Sequence, residues 1–112
     1  MLNTYKSKWI LQRFTALLLI PFTFWFIYNC ISFQYLSYIE LKFFFNSYIN
    51  STLFILMMTI MIIHSKIGCE TIVQDYISSI SLKKIYKFIL NFISLLIMIS
   101  VFVAIIKLNL TK

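Results

Sequence analysis

The chain has 112 residues, of which 62% are hydrophobic and only 12% are charged. A soluble domain of this size needs far more polar surface, so the composition excludes that class and predicts an integral membrane protein. The net charge is +7, and the basic residues are scattered between apolar runs instead of forming a basic patch. This distribution indicates contact with membrane lipid headgroups and argues against nucleic acid binding.

Three long runs without Asp, Glu, Lys or Arg predict three transmembrane helices. They extend for 26 residues from Phe14, 23 from Phe43 and 19 from Phe88. About 20 apolar residues cross the hydrocarbon core as a helix, and three segments cannot close a barrel. We therefore expect an all-α integral membrane protein, a single transmembrane domain over residues 1–112, with spans at about 14–35, 46–68 and 86–107.

Basic residues outside the runs predict the orientation. The N-terminal tail carries three basic residues and no acid, and the second connection carries four lysines against two acids, whereas the first connection carries only Glu40 and Lys42. Because basic residues stay on the inner side, the N-terminus and the second connection are expected inside. The first connection and the C-terminus are then expected outside.

The two cysteines, Cys30 and Cys69, form no C-x-x-C pattern, which argues against c-type haem attachment and against iron–sulfur or structural zinc sites. The predicted topology places them near opposite membrane faces, too far apart for a disulfide. Both are expected to be buried small residues.

The entry to the first span places Arg13 at the inner edge of the membrane. An arginine at this position is typically an interfacial anchor that extends its charge to the headgroups. It could also pair with an anionic group held at the same depth.

The stretch 64–76 contains the only histidine and the only glycine of the chain. The predicted topology puts His64 in the same leaflet as Arg13. If the helix continues, Gly68 follows one turn later and Asp75 returns to nearly the same face. A neutral imidazole can ligate haem iron, and a glycine leaves space for a flat macrocycle. The alternative is an ordinary interfacial histidine.

Asp75 and Tyr76 come next, and two interpretations stay open. Such a pair commonly marks a solvated amphipathic loop at a membrane surface. It could also hold a small polar ligand, since a tyrosine hydroxyl can donate to a quinone carbonyl and a carboxylate can relay protons.

The pattern H-x3-G-x6-D-Y, formed by His64, Gly68, Asp75 and Tyr76, resembles the hydrophobic membrane anchor subunit of succinate dehydrogenase. This is the smaller anchor, the partner of the cytochrome b556 subunit. The entry motif Q-R-x-T-A at 12–16, the short length and the three spans are similar to that family as well. The resemblance implies that His64 is an axial ligand of haem b iron and that Tyr76 hydrogen-bonds ubiquinone. It also implies that Asp75 lies beside the quinone, and Arg13 near the haem propionates or the quinone.

The resemblance further implies a role in succinate:quinone oxidoreductase, respiratory complex II, in a bacterial or mitochondrial inner membrane. The partners would be the cytochrome b556, iron–sulfur and flavoprotein subunits, and the chain alone would have no activity. Two other hypotheses stay open: a cofactor-free structural subunit of a membrane complex, and the anchor of a fumarate reductase.

Overall fold

The computed structural model describes residues 5–110, with side chains from 6 to 109, and this part of the chain is helical except for short connections. The helices are α1 (Tyr5–Phe33), α2 (Tyr38–Asn46), α3 (Tyr48–Tyr76) and α4 (Ile80–Leu110). Three of them are long and apolar enough to cross a membrane, over Lys6–Phe33, Tyr48–Tyr76 and Ile80–Asn109. The predicted all-α class with three spans is confirmed. The outermost residues of the predicted domain, 1–4 and 111–112, lie outside the described residues.

The long helices extend well beyond the apolar runs. Helix α1 begins at Tyr5, α3 continues to Tyr76, and α4 begins at Ile80, so the second connection is reduced to residues 77–79. A charge marks where the hydrocarbon ends, but the backbone hydrogen bonds of a helix continue into the headgroup region. The prediction that Asp75 and Tyr76 could lie in a loop is therefore wrong, because both belong to α3.

Helix α2 occupies the segment that was expected to be a simple connection. Its N-cap is Ser37, whose side chain accepts a hydrogen bond from the backbone N–H of Glu40. Ser47 ends α2 and caps α3 in the same way, accepting from the Asn50 N–H. Two caps in a short segment let the chain reverse direction while one free N–H group at the start of each helix is paired with a side chain.

Helix α3 lies at the centre of the bundle and packs against α1, α2 and α4. Few side chains are buried in the isolated chain; the buried apolar ones are Phe45, Met57, Ile60, Ile67 and Ile105. Lipid is as apolar as these side chains, so a membrane helix gains little by hiding its apolar faces inside the bundle. The many exposed apolar side chains are the surface that lipid or other subunits cover.

The two ends of the bundle differ in composition. At the end where α1 finishes and α3 begins, called here the aromatic end, rings pack against one another; they belong to Trp25, Phe26, Phe33, Phe44, Phe45 and Phe54. At the opposite end, called the cavity end, polar and charged side chains lie between α1 and α3 beside apolar ones, and Lys8 of α1 meets Glu70 of α3.

Candidate functional site

A cavity of about 630 Å³ opens at the cavity end, between α1 and α3. Helix α1 lines it with Lys8, Trp9, Gln12, Arg13 and Ala16. Helix α3 lines it with His64, Ile67, Gly68, Glu70, Thr71, Gln74 and Asp75. Helix α4 contributes Lys87. The volume lies in the range of small-molecule and cofactor sites. We call it the α1–α3 cavity.

Helical periodicity explains which α3 residues reach the cavity. Because α3 is continuous to Tyr76, Gly68 follows His64 by one turn, and Asp75 lies only about 20° from His64 around the helix axis. All three line the cavity, so the stripe expected from their spacing is present. Arg13 lines the same cavity from α1, so the structure brings it to the same end of the bundle as His64.

His64 is held by a contact between the two helices. The hydroxyl oxygen of Thr15 lies 3.0 Å from Nδ1 of His64. Thr15 is only 3% exposed, and its hydroxyl also donates to the backbone carbonyl of Gln12, with an Oγ1–O distance of 3.0 Å. An interfacial histidine would extend into the headgroups, whereas this imidazole is half-buried and hydrogen-bonded across the helix pair.

Charged groups surround the rim of the cavity. Nζ of Lys8 lies 3.5 Å from a carboxylate oxygen of Glu70, and the guanidinium of Arg13 lies 5.3 Å from the ring centre of Trp9. With Lys87, three cationic side chains and the two carboxylates of Glu70 and Asp75 face the cavity. The excess of positive charge suits a ligand that carries carboxylates. The position of Arg13 over Trp9 also suits an interfacial anchor.

The space over Gly68 is not open, contrary to what the sequence suggests. A Cβ atom at this position would lie 3.3 Å from Nε2 of Gln12. The other end of that amide, Oε1, is buried without a hydrogen-bond partner among the described residues. A macrocycle over Gly68 therefore requires the Gln12 side chain to move, and the unpaired oxygen means that its present position is not fully stabilised.

Tyr76 lies apart from the other predicted site residues. It ends α3, is 84% exposed and is not among the described residues that line the cavity. Twelve residues after His64, it points about 120° away around the helix. The predicted pair is thus divided: Asp75 faces the cavity and Tyr76 faces outward.

Nine of the thirteen lining residues were not predicted as site residues, among them Lys8, Gln12, Glu70 and Lys87. The pairing of Lys8 with Glu70 had a signal, because these opposite charges fall at the same predicted membrane face. Gln12 belongs to the entry motif, but nothing in the sequence indicates that it reaches Gly68. The position of Lys87 at the cavity depends on how α4 packs against the other helices, which a single sequence does not reveal.

A second depression of about 340 Å³ adjoins the first, since Ala16 and His64 line both. Its other lining residues are Leu19, Ile20, Thr23 and Phe24 of α1. His64 thus borders a cavity with charged groups at its rim and an apolar surface. This combination fits a flat amphipathic group with carboxylates on one edge, such as haem, provided that Gln12 moves.

Within residues 5–110, no group of three or more His, Cys, Asp and Glu side chains could hold a metal ion. A single histidine is enough to ligate a haem iron from one chain, and His64 is the histidine that could do so here. Both cysteines are free; Cys30 is half-buried, whereas Cys69 is exposed, so the expectation that both are buried is wrong for Cys69.

Comparison with protein families gives one match over nearly the whole chain. The family described as the succinate dehydrogenase/fumarate reductase transmembrane subunit matches residues 4–106. No individual curated protein matches the chain. The matched region contains all the residues that line the α1–α3 cavity. The chain therefore belongs to the succinate dehydrogenase/fumarate reductase transmembrane subunit family.

Proposed function

We propose that this chain is the smaller membrane anchor of succinate:quinone oxidoreductase, which shares haem b with the cytochrome b556 subunit and forms part of the ubiquinone site. Family membership makes it a membrane subunit of an oxidoreductase complex. The observation that supports the finer role is the half-buried His64, held by Thr15 at the border of the cavity.

In this proposal His64 would hold the haem iron through Nε2, because Nδ1 is engaged with Thr15. Arg13, and the other cations of the rim, would pair with the propionates. Gln12 would swing away from Gly68. Haem b, when bound, would supply a one-electron carrier at this end of the bundle, and the cytochrome b556 subunit would hold it from the other side.

The quinone would bind on the outward face of the end of α3, next to the haem and not inside the cavity. Tyr76 would donate a hydrogen bond from its hydroxyl to a quinone carbonyl. Its 84% exposure leaves it accessible to a site completed by another subunit. Asp75, one position earlier, lines the cavity, and its carboxylate would place a negative charge between the haem and the quinone.

The soluble flavoprotein and iron–sulfur subunits would dock at the cavity end, on the inner side of an inner membrane. Electrons from succinate would then enter where the haem and the quinone lie. The basic residues of this end support the orientation through the positive-inside rule.

Two competing functions are also supported by observations on this chain. Gln12 over Gly68 and Arg13 over Trp9 both suit a cofactor-free structural subunit. The matched family also includes fumarate reductase subunits, which would carry electrons from quinol instead of to quinone.

The haem role is tested by purifying the complex through a tag on this chain and recording reduced-minus-oxidised spectra. We expect a b-type haem signal that is lost in His64→Ala and kept in Ser65→Ala, an exposed neighbour. Copurified flavoprotein and iron–sulfur subunits without haem would favour the structural subunit. No haem and no such partners would refute the proposal.

The quinone role is tested in the assembled complex with Tyr76→Phe. Loss of one hydrogen bond predicts about 3- to 10-fold lower kcat/KM for quinone. Tyr48→Phe is the matched control, since Tyr48 is 87% exposed at the opposite end of α3. Equal rates in both variants would contradict the role of Tyr76.

The direction of the reaction is tested by comparing the two rates in the same complex. Succinate oxidation much faster than fumarate reduction would exclude the fumarate reductase hypothesis.

A further inference from the structure

We propose that Thr15 is a positioning residue that fixes the tautomer of His64: the ring proton is on Nδ1, and the Nε2 lone pair is free to bind a ligand. The identity of that ligand as haem iron rests on the proposed function. The tautomer itself rests only on this chain.

The argument begins with the hydroxyl of Thr15, which has one hydrogen to donate and can accept two hydrogen bonds. That hydrogen is directed to the carbonyl oxygen of Gln12, at an Oγ1–O distance of 3.0 Å. Toward His64 Nδ1, also at 3.0 Å, the same oxygen can then act only as an acceptor. Nδ1 must therefore carry the proton that the bond requires.

The opposite tautomer is less favourable in this geometry. If Nδ1 had no proton, Thr15 would have to turn its hydrogen from Gln12 to the ring. The carbonyl of Gln12 would lose the bond from the Thr15 hydroxyl, so Thr15 would take part in one side-chain hydrogen bond instead of two. The contribution of one such bond favours the proton on Nδ1 by about 3- to 10-fold relative to an imidazole without this contact.

The position of Thr15 makes it a rigid acceptor. It is only 3% exposed, so water has little access to the hydroxyl. Its side chain is β-branched, and the bond back to the helix backbone holds its χ1 angle. A fixed acceptor on α1 therefore orients a ring that is carried by α3.

This arrangement is the one that a metal-binding histidine needs. Such a histidine usually donates its other ring N–H to a fixed acceptor, which sets the tautomer and ring orientation. Loss of that acceptor typically weakens metal binding by about 10- to 100-fold. In this chain a threonine hydroxyl takes the place of the more usual carboxylate, carbonyl or water.

His64 is the only histidine, so the tautomer can be measured directly. The full-length chain is labelled with ¹⁵N-histidine, placed in lipid nanodiscs at alkaline pH, and examined by NMR. We expect a protonated Nδ1 and an unprotonated Nε2. A proton on Nε2 in the unmodified chain would overturn the proposal.

Variants extend this test. Thr15→Val, which removes the hydroxyl with little change in volume, should shift the ring toward the Nε2-protonated form. Thr15→Ser should restore the original spectrum. Thr59→Val is the control, because Thr59 also donates to its own helix, with 2.8 Å between Oγ1 and the Ile55 carbonyl, but lines neither cavity. An unchanged spectrum in Thr15→Val would overturn the proposal.

The complex provides a second readout that separates the two proposals. Thr15→Val should retain haem about 10- to 100-fold less tightly, with altered paramagnetic resonance of the oxidised haem, and Thr15→Ser should recover both. Unaltered haem binding in Thr15→Val would overturn the positioning role. If the unmodified complex lacks haem, the proposed haem site fails, while the NMR spectra still decide the tautomer.

Discussion

The aromatic end and the cavity end of the bundle are held together by different interactions. At the aromatic end, Phe45 is buried and its ring centre lies 5.0 Å from that of Phe44 and 5.3 Å from that of Phe54. At the cavity end, the hydrogen bond and the ion pair between α1 and α3 each join one pair of side chains, Thr15 with His64 and Lys8 with Glu70. One end is filled by rings, and the other surrounds an open space.

The difference indicates where stability and function reside. Ring packing at the aromatic end leaves little room for a ligand and joins α2 to the bundle. Among the described residues each end keeps one buried amide oxygen without a partner, Gln12 Oε1 at the cavity end and Asn46 Oδ1 at the aromatic end, but the cavity end also sets the exposed Arg13 beside an open space that a ligand could fill. We expect mutations at the aromatic end to change stability, and those at the cavity end to change ligand binding.

The largest loss of stability is expected from Phe45→Ala. It removes three ring pairs, with Phe33, Phe44 and Phe54. At roughly 0.5–1.5 kcal/mol each, the free energy of unfolding should fall by about 2–4 kcal/mol. Unfolding in mixed micelles measures it, with Phe43→Ala, a 70% exposed ring of the same helix, as control. The haem spectrum at the other end should not change; equal losses in the two variants would contradict the comparison.

A smaller loss is expected from Ser51→Ala at the junction of α2 and α3. The buried Ser51 hydroxyl donates to the backbone carbonyl of Phe45, in the last turn of α2. Without it, that carbonyl loses its side-chain donor, which should cost about 1–2 kcal/mol. The same unfolding assay compares it with Thr52→Ala, an exposed neighbour. A cost no larger than that of Thr52→Ala would show that the junction is held by packing alone.

The ion pair at the cavity end should contribute less to the free energy of unfolding than either of these groups. The side chains of Lys8 and Glu70 are 33% and 16% exposed, and such pairs contribute about 0.5 kcal/mol near water. A double-mutant cycle with Lys8→Met and Glu70→Gln should give a coupling of this size that falls as salt is raised. A coupling above about 2 kcal/mol would mean that this end is held as firmly as the aromatic one.

The sequence predicted the three spans and the stripe of His64, Gly68 and Asp75, because hydropathy and helical periodicity are local properties. Helix α2 was missed, although Ser37 and Glu40 have the spacing of a capping box. Its charges interrupt the apolar run, and its nine residues depend on ring contacts from distant helices. The place of Gln12 over Gly68 and the bond from Thr15 to His64 depend on how α1 and α3 pack, which local patterns do not encode.

The smallest effect on stability is expected at Gly68, where substitutions of two sizes separate the effect on stability from the effect on ligand binding. Gly68→Ala gains helix propensity, about 1 kcal/mol, but its Cβ would lie 3.3 Å from Nε2 of Gln12. That atom is the far end of a flexible side chain and can shift by a few tenths of an ångström, so the net change should be within about 0.5 kcal/mol. Gly68→Leu would instead fill part of the α1–α3 cavity. We expect Gly68→Ala to keep both stability and haem, and Gly68→Leu to lose haem while the aromatic end stays folded. If Gly68→Leu kept its haem, the ligand would not lie over Gly68, and the cavity would have to serve another purpose.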